Sequence, residues 1–319
     1  MQKLLKKKLL PALSLSIENH IRTVNFKTLI TGKNLNISTL CKFFEVSRQS
    51  YYEHTALETK KMLQREIVLQ LVQEKKAILP NSGVRKMYHL IKDQLAEQEL
   101  QYGRDKLFDL LRAEGLLVKR KKSFVKTTNS NHPFRKYTNL LKDSKLDYVF
   151  AAVVCDITYI DTCEGFLYLA LITDVFSKRI VGFDLSASLE LEGCKRAAQM
   201  FIKLLYKTYP KNFAKNTKII HHSDHGSQYC SYIYTELLKE HHILISMGEI
   251  GNCYENAMAE SMNSILKNEF EMGKRFVSKE VAHKTLNQVI DIYNNFRPHG
   301  SLKMATPMQM FKQNVPNPK

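Results

Sequence analysis

Three carboxylates stand where two strands and a helix can bring them together. Asp156 follows the apolar run 149–155. Asp224 follows Lys218-Ile219-Ile220 and is trailed by Gly226. Glu260 comes later, with 35 residues between it and Asp224, in a stretch of helical spacing. A short apolar run closed by a turn residue reads as a buried strand, so each aspartate is expected at a strand end. Carboxylates that converge repel one another unless a cation neutralises them. Mg²⁺ suits such a set, because it is hard, seeks oxygen and keeps positions open for phosphate and water. Asp161, Asp174 and Asp184 lie in the same region, on or beside strands. Glu255 precedes Glu260 by five residues and on a helix points away from it.

The elements that must position these side chains come from the hydrophobic pattern. Residues 148–155, 166–173 and 179–185 are apolar and rich in β-formers. Gly165 and Phe176-Ser177-Lys178 punctuate them, which predicts three antiparallel strands. Residues 191–206 predict a helix with Cys194, Ala197, Ala198, Phe201 and Leu205 on one side. A strand over 218–223, a helix over 231–241, a strand over 243–247 and helices over 255–271 and 279–296 complete a mixed five-stranded α/β sheet with flanking helices.

The first part of the chain reads as all helical. Residues 37–55 predict a helix–turn–helix. Leu40, Phe43 and Phe44 form the inner face of its first helix, Glu45-Val46 the turn, and Ser47 the N-cap of its second. In that motif the second helix enters the major groove, which aims Arg48, Gln49 and Tyr52 at DNA. An ordinary helical hairpin is the alternative. Residues 60–76 predict a separate amphipathic helix with Met62, Ile67, Leu71 and Val72 inward, ended by Pro80-Asn81-Ser82-Gly83. A second helical pair spans 84–95 and 103–114, with Met87, Leu90 and Ile91 facing Leu107, Leu110 and Leu111. Gly115 is its C-cap, and Arg104 and Lys106 open its second helix. Lys119-Arg120-Lys121-Lys122 begins a polar linker that cannot pack a core, read both as a solvated tether and as an arm that grips phosphate. The expected organisation is a leader over 1–34, a helical DNA-binding region over 35–118, a basic linker over 119–145, a catalytic core over 146–312 and a tail over 313–319.

Charge divides the chain in a similar way. Residues 1–150 hold 29 lysines and arginines against 14 acidic residues, net +15, whereas residues 151–319 are net +2. A basic half beside a near-neutral, carboxylate-bearing half suggests that one part grips a polyanion and the other does chemistry. The six cysteines are scattered without a CxxC pair, which argues against a zinc knuckle and fits a reduced, cytoplasmic setting. No apolar run reaches membrane-spanning length. The basic start of residues 1–17 is interrupted by Pro11 and serines and reads as a leader or weak amphipathic helix, not as a signal peptide.

The blocks around the three carboxylates carry a resemblance. Asp156-Ile157-Thr158-Tyr159-Ile160, the run His222-Ser223-Asp224-His225-Gly226-Ser227-Gln228-Tyr229, and the run from Gly251 to Ser261 resemble the catalytic blocks of insertion-sequence transposases. The nearest pattern is the OrfB-type protein of the IS-three family, whose core is similar to retroviral integrase. Tyr293-Asn294-Asn295-Phe296-Arg297-Pro298-His299-Gly300-Ser301-Leu302 with Thr306-Pro307 resembles that family's C-terminal block. The likeness runs from about residue 35 to 312.

That resemblance implies a ribonuclease-H-like catalytic domain behind two helix–turn–helix units. It also implies a DDE transposase that cleaves an element end with water and then joins the freed 3′-hydroxyl to another phosphodiester, typically through a circularised element. Two divalent ions about 3.5–4 Å apart serve such chemistry, Mg²⁺ or Mn²⁺, with Asp156 bridging and Asp224 and Glu260 flanking. Asp174 fits a structural position capping the turn before Phe176. Asn263 and Lys267 share the Glu260 face and are expected at DNA, as is the Arg297 guanidinium, which can fork onto phosphate. The expected partners are duplex DNA, both element ends and target, further copies of the chain on that DNA, and an upstream-frame protein or a frameshift fusion with it. The expected place is the bacterial cytoplasm, at the nucleoid. The chain departs from the family pattern at Val153, where tryptophan is usual, at Gly248-Glu249-Ile250, which is usually basic, and at Glu255, usually aspartate. A non-catalytic DNA-binding repressor or partner that keeps the fold is the alternative, with a structure-selective nuclease a third reading.

Overall fold

The computed structural model describes residues 37–118, 135–142, 144–210, 212–248 and 257–315. The expectations placed on the leader, on Lys119, Arg120, Lys121 and Lys122, and on the block before Ala257 therefore lie outside the described residues. The chain divides into two compact units, Met1–Gln70 and Leu71–Lys319.

Helix α1 (Ile37–Phe43) precedes α2 (Arg48–Ile78), whose residues from Leu71 on are counted with the second unit. Ser47 caps α2 by accepting the Ser50 amide at 2.9 Å, and Glu45 turns the chain with a φ of 56°. Ile37, Phe44, Val46 and Tyr51 pack on buried Cys41. The separate helix expected over 60–76 is instead the continuation of α2, a single helix of 31 residues. No Gly or Pro stands between Ser47 and Pro80, so nothing interrupts the hydrogen-bond ladder. Val68, Leu71 and Val72 are its buried residues, while Met62, expected inward, is 57% exposed.

In the second unit α3 (Val84–Glu97) and α4 (Arg104–Ala113) pair through Met87, Ile91, Leu107, Leu110 and Leu111, all buried. Gly115 ends the pair with a φ of 67°, a conformation open to glycine, while the Gly115 and Leu116 amides return to the Arg112 and Leu111 carbonyls. Leu79 and Leu90 join a core cluster of the sheet, so this helical pair belongs to the same unit as the catalytic domain.

The sheet has five strands in the order β3-β2-β1-β4-β5. Strands β1 (Ala152–Thr162), β2 (Gly165–Asp174) and β3 (Ile180–Ser186) are antiparallel, whereas β4 (Ile220–Ser223) and β5 (Leu244–Met247) run parallel to β1. Because side chains alternate across a strand, each sheet face builds its own core. On one face Val153, Cys155, Ala170 and Ile172 meet α5 (Leu191–Thr208) and α6 (Tyr232–Glu240). On the other, Ile160, Leu167, Leu169 and Leu171 meet α7 (Ala257–Ser264) and α8 (Lys279–Asn295). Helix and sheet approach closely at Gly182, where a Cβ would stand 2.3 Å from the Ala197 carbonyl oxygen. This is the ribonuclease-H-like arrangement.

Entry into β1 is held by Asp174. Its Oδ1 accepts the amide of Phe150, a residue with φ 68° whose ring packs edge-on against Phe201, Tyr209 and Phe311. Its Oδ2 accepts the Ser177 amide and hydroxyl. Asp174 therefore fixes both the start of the strand that carries Asp156 and the β2–β3 turn. A last helix, α9 (Pro307–Gln313), follows a capping box made by Thr306 and Gln309.

Candidate active site

Asp156 is not at a strand end. It lies within β1, which continues to Thr162 because its partner β2 pairs along the whole length. The ladder on the opposite edge is short and ends at Val154↔His222. Two residues beyond that pair stand Asp156, inside β1, and Asp224, one residue past the end of β4, so the two carboxylates flank the point where the sheet opens. Gly226 follows Asp224 and lends its amide to Asp224 Oδ1 at 3.0 Å, a position where a Cβ would crowd the same oxygen.

Helix α7 carries Glu260, exposed, and one turn later Asn263, buried. Asn263 Nδ2 donates to Asp156 Oδ2 at 2.7 Å, and the Ile157 amide donates to Asp156 Oδ1 at 2.9 Å. Asn263 Oδ1 is buried with no hydrogen-bond partner. Burial, followed by the charge of Asp224, lifts the Asp156 carboxyl from 3.8 to about 7, with a smaller push from Glu260 and with both hydrogen bonds pulling it down. Asp156, Asp224 and Glu260 offer only oxygen donors, the kind a hard divalent cation takes. Among the described residues, no three His, Cys, Asp or Glu side chains are gathered closely enough to hold a metal as they stand.

The cations expected at DNA take varied positions. Lys267 rests over the Tyr159 ring, 4.1 Å from its centre, and burial lowers its pKa against the pull of Asp156. Arg48 and Gln49 are exposed on the first turn of α2, with Tyr52 half exposed and Gln49 Nε2 on Glu53 at 2.9 Å. Arg104, paired with Asp105, and Lys106 are exposed at the start of α4. Arg297 is not at the surface. It is 3% exposed, and its Nε and Nη2 both donate to Glu269 at 2.8 Å. Neither residue type nor spacing singles out Glu269 or Lys178. The Lys178 Nζ lies 3.4 Å from Met258 Sδ on α7, and its carbonyl accepts the Tyr293 hydroxyl. A lysine with φ 61° in a turn between apolar strands gives little warning of such a position.

His221 and His222, neighbours on β4, point to opposite faces of the sheet. His221 Nε2 meets Cys155 Sγ at 2.9 Å and the Tyr234 hydroxyl at 2.8 Å, and burial holds its pKa down at about 3. His222 Nδ1 meets Ser246 Oγ at 2.8 Å. Among the described residues no helix is long and apolar enough to cross a membrane.

Two integrase core domain families match residues 149–253 and 241–307. The insertion element IS600 uncharacterized 31 kDa protein of Shigella sonnei is 35% identical over 272 residues, 84% of this chain and 96% of that protein. Transposase InsF for insertion sequence IS3fB of Escherichia coli (strain K12) is 30% identical over 292 residues, 88% of this chain and 95% of that protein. Among solved structures, the HTLV-2 integrase catalytic core domain in complex with magnesium is similar, with a TM-score of 0.39 and 14% identity. It spans 51% of this chain and 97% of that one.

Proposed function

We propose, on the premise that this chain belongs to the IS3-type insertion-sequence transposases with an integrase catalytic core, that Asp156, Asp224 and Glu260 form its catalytic triad. The chain is a polynucleotidyl transferase, and its reaction is cleavage and transfer of DNA strands in transposition. The observation that carries the triad is geometric: Asp156 and Asp224 stand two residues past the last β1–β4 pair, and Asn263 of the helix that bears Glu260 donates to Asp156 at 2.7 Å.

The triad is read as the seat of two Mg²⁺ ions, for which Mn²⁺ can substitute. Such ions polarise an attacking oxygen and stabilise a departing one. The chain's own residues do the rest. Asn263 orients the Asp156 carboxylate through its 2.7 Å hydrogen bond, and its free Oδ1 adds a buried acceptor beside the site. Lys267 has no ligand chemistry and is read as a phosphate contact once it leaves the Tyr159 ring. Arg48, Gln49 and Tyr52 on α2 and Arg104 and Lys106 on α4 are read as duplex contacts, with Lys119, Arg120, Lys121 and Lys122 reinforcing them. DNA ends, target DNA and further copies of the chain are its partners in this reading, and an upstream-frame protein or fusion supplies any further end recognition. Its place of action is the DNA of the cytoplasm.

The test uses purified full-length chain, mixed with a plasmid carrying the element that encodes it, in Mg²⁺ or in chelator. The reading expects strand breaks at the element ends and joined products with Mg²⁺ alone. Tight DNA binding without any Mg²⁺- or Mn²⁺-dependent break favours the repressor-like alternative instead.

A further inference from the structure

We propose that Glu269 is a positioning residue for Glu260, acting through an ion node shared with Lys86 and Arg297. The inference rests on the reading of Glu260 as catalytic. Glu260 is exposed, so its aim depends on the axis and rotation of α7. Near the C-terminal end of α7 that rotation is tied to the sheet by Asn263 on Asp156. Directly after its last residue, Ser264, helical at φ −62° and ψ −40°, α7 passes into a π-helical turn (Ile265–Glu269). A π turn holds one residue more than an α turn and so rotates the succeeding residues by about 100°. Glu269 ends that turn.

The Glu269 carboxylate is gripped from two parts of the chain. Arg297, from the C-terminal block, donates twice at 2.8 Å. Lys86, from α3, reaches Oε1 at 2.8 Å. The backbone joins in. The Asn81 amide meets the Glu269 carbonyl at 3.4 Å, and Asn81 Nδ2 meets the Asn268 carbonyl at 3.0 Å. Leu79 and Leu90 pack in the same cluster as Met262, Leu266 and Phe270. The helical pair that precedes the core is therefore anchored to the last turn of the helix that carries Glu260.

Such a node is suited to aiming more than to gluing. Buried ion pairs compete poorly with apolar packing as a source of stability. A bidentate guanidinium–carboxylate pair accepts one geometry, however, and transmits that geometry to the helix that bears it. Glu269 lies nine residues from Glu260, about 13 Å along a helix at 1.5 Å per residue. A small rotation at the node therefore swings Glu260 relative to Asp156 and Asp224. Lys86 makes that rotation depend on the docking of α3, whose partner helix α4 presents Arg104 and Lys106.

The experiment compares full-length Glu269→Gln, Lys86→Met, Lys86→Arg and Glu260→Gln on the element-bearing plasmid, with Mn²⁺ titrated alone as the metal. Cleavage is read at a temperature where melting curves show each protein folded, and plasmid affinity is measured beside it. Loss of a residue that orients a metal ligand costs about tenfold in metal affinity, so Glu269→Gln should raise the Mn²⁺ midpoint about tenfold while plasmid affinity stays unchanged. Lys86→Met should raise the midpoint by less, and Lys86→Arg should restore it. An unchanged midpoint in Glu269→Gln, with cleavage falling only as the folded fraction falls, overturns the proposal. Should Glu269→Gln fail to fold, Lys86→Met decides: a raised midpoint supports the node and an unchanged one overturns it. Wild-type cleavage by Glu260→Gln overturns the catalytic reading itself, whatever Glu269 does.

Discussion

Replacing Asp156 by Asn should stabilise the metal-free protein above neutral pH while destroying its chemistry. In the folded chain the Asp156 carboxyl is lifted from 3.8 to about 7. Between those values the folded chain keeps a proton that the unfolded chain has lost. Stability therefore falls as pH rises through that window, and the penalty is complete above pH 7. Three units at about 1.4 kcal/mol each set a ceiling of about 4 kcal/mol. Asp156 is partly open to solvent, which screens the repulsion and brings the expected gain to about 2 kcal/mol. The new amide keeps the shape, and its nitrogen can donate to Asn263 Oδ1 if that side chain flips, giving the orphaned oxygen a partner. For a unit of this size the gain corresponds to a rise of about 4–8 °C in melting temperature. Mg²⁺ should reverse the order. Ligand at a hundred times its Kd adds about 2.7 kcal/mol to a protein that binds it, and the variant, one carboxylate short, binds it poorly. The assay is a set of melting curves at pH 5 and pH 8, in chelator and in Mg²⁺. A variant equal to or less stable than wild type in chelator at pH 8, or a difference that ignores pH, refutes the reasoning.

Other outcomes rest on particular contacts. Lys267→Ala should weaken DNA affinity and leave the Mg²⁺ midpoint of cleavage in place, because its Nζ sits over Tyr159 and cannot bind a cation; normal DNA affinity with a raised Mg²⁺ requirement contradicts this. Gly182→Ala forces a methyl to 2.3 Å from the Ala197 carbonyl oxygen and should cost about 1–3 kcal/mol by pushing α5 off the sheet, read as a lower melting temperature. DNA affinity should fall with salt at a log–log slope of about −0.9 per phosphate neutralised, and Arg48→Ala and Arg104→Ala should each make that slope shallower; a slope unmoved by either places the duplex elsewhere.

Much of this arrangement is legible in the sequence. Apolar runs of strand length, with Gly165 between two of them, point to the antiparallel trio, and small and apolar residues at helical spacing point to the helix over 191–206. Gly115 reads as a C-cap, and its φ of 67° is what a cap of that kind requires. Other features depend on partners distant in sequence. The apolar run before Asp156 suggests a strand end, yet β2 extends β1 six residues past Asp156. The polar stretch 55–60 suggests a break in α2, yet polar residues do not stop a helix that contains no Gly or Pro. Arg297 resembles a phosphate ligand because arginine often is one. Its burial on Glu269 depends on a π turn that no spacing rule announces.

The central claim is that Asp156, Asp224 and Glu260 act together. The most direct measurement is cleavage of the element-bearing plasmid by purified Asp156→Asn, Asp224→Asn and Glu260→Gln, each beside a binding assay on the same DNA. Asp161→Asn, on β1 but paired with Arg275 at 3.7 Å, serves as the control. The account predicts that all three triad variants bind DNA like wild type and fail to cleave in Mg²⁺ or Mn²⁺, while Asp161→Asn cleaves normally. Wild-type cleavage by any one of the three would contradict it.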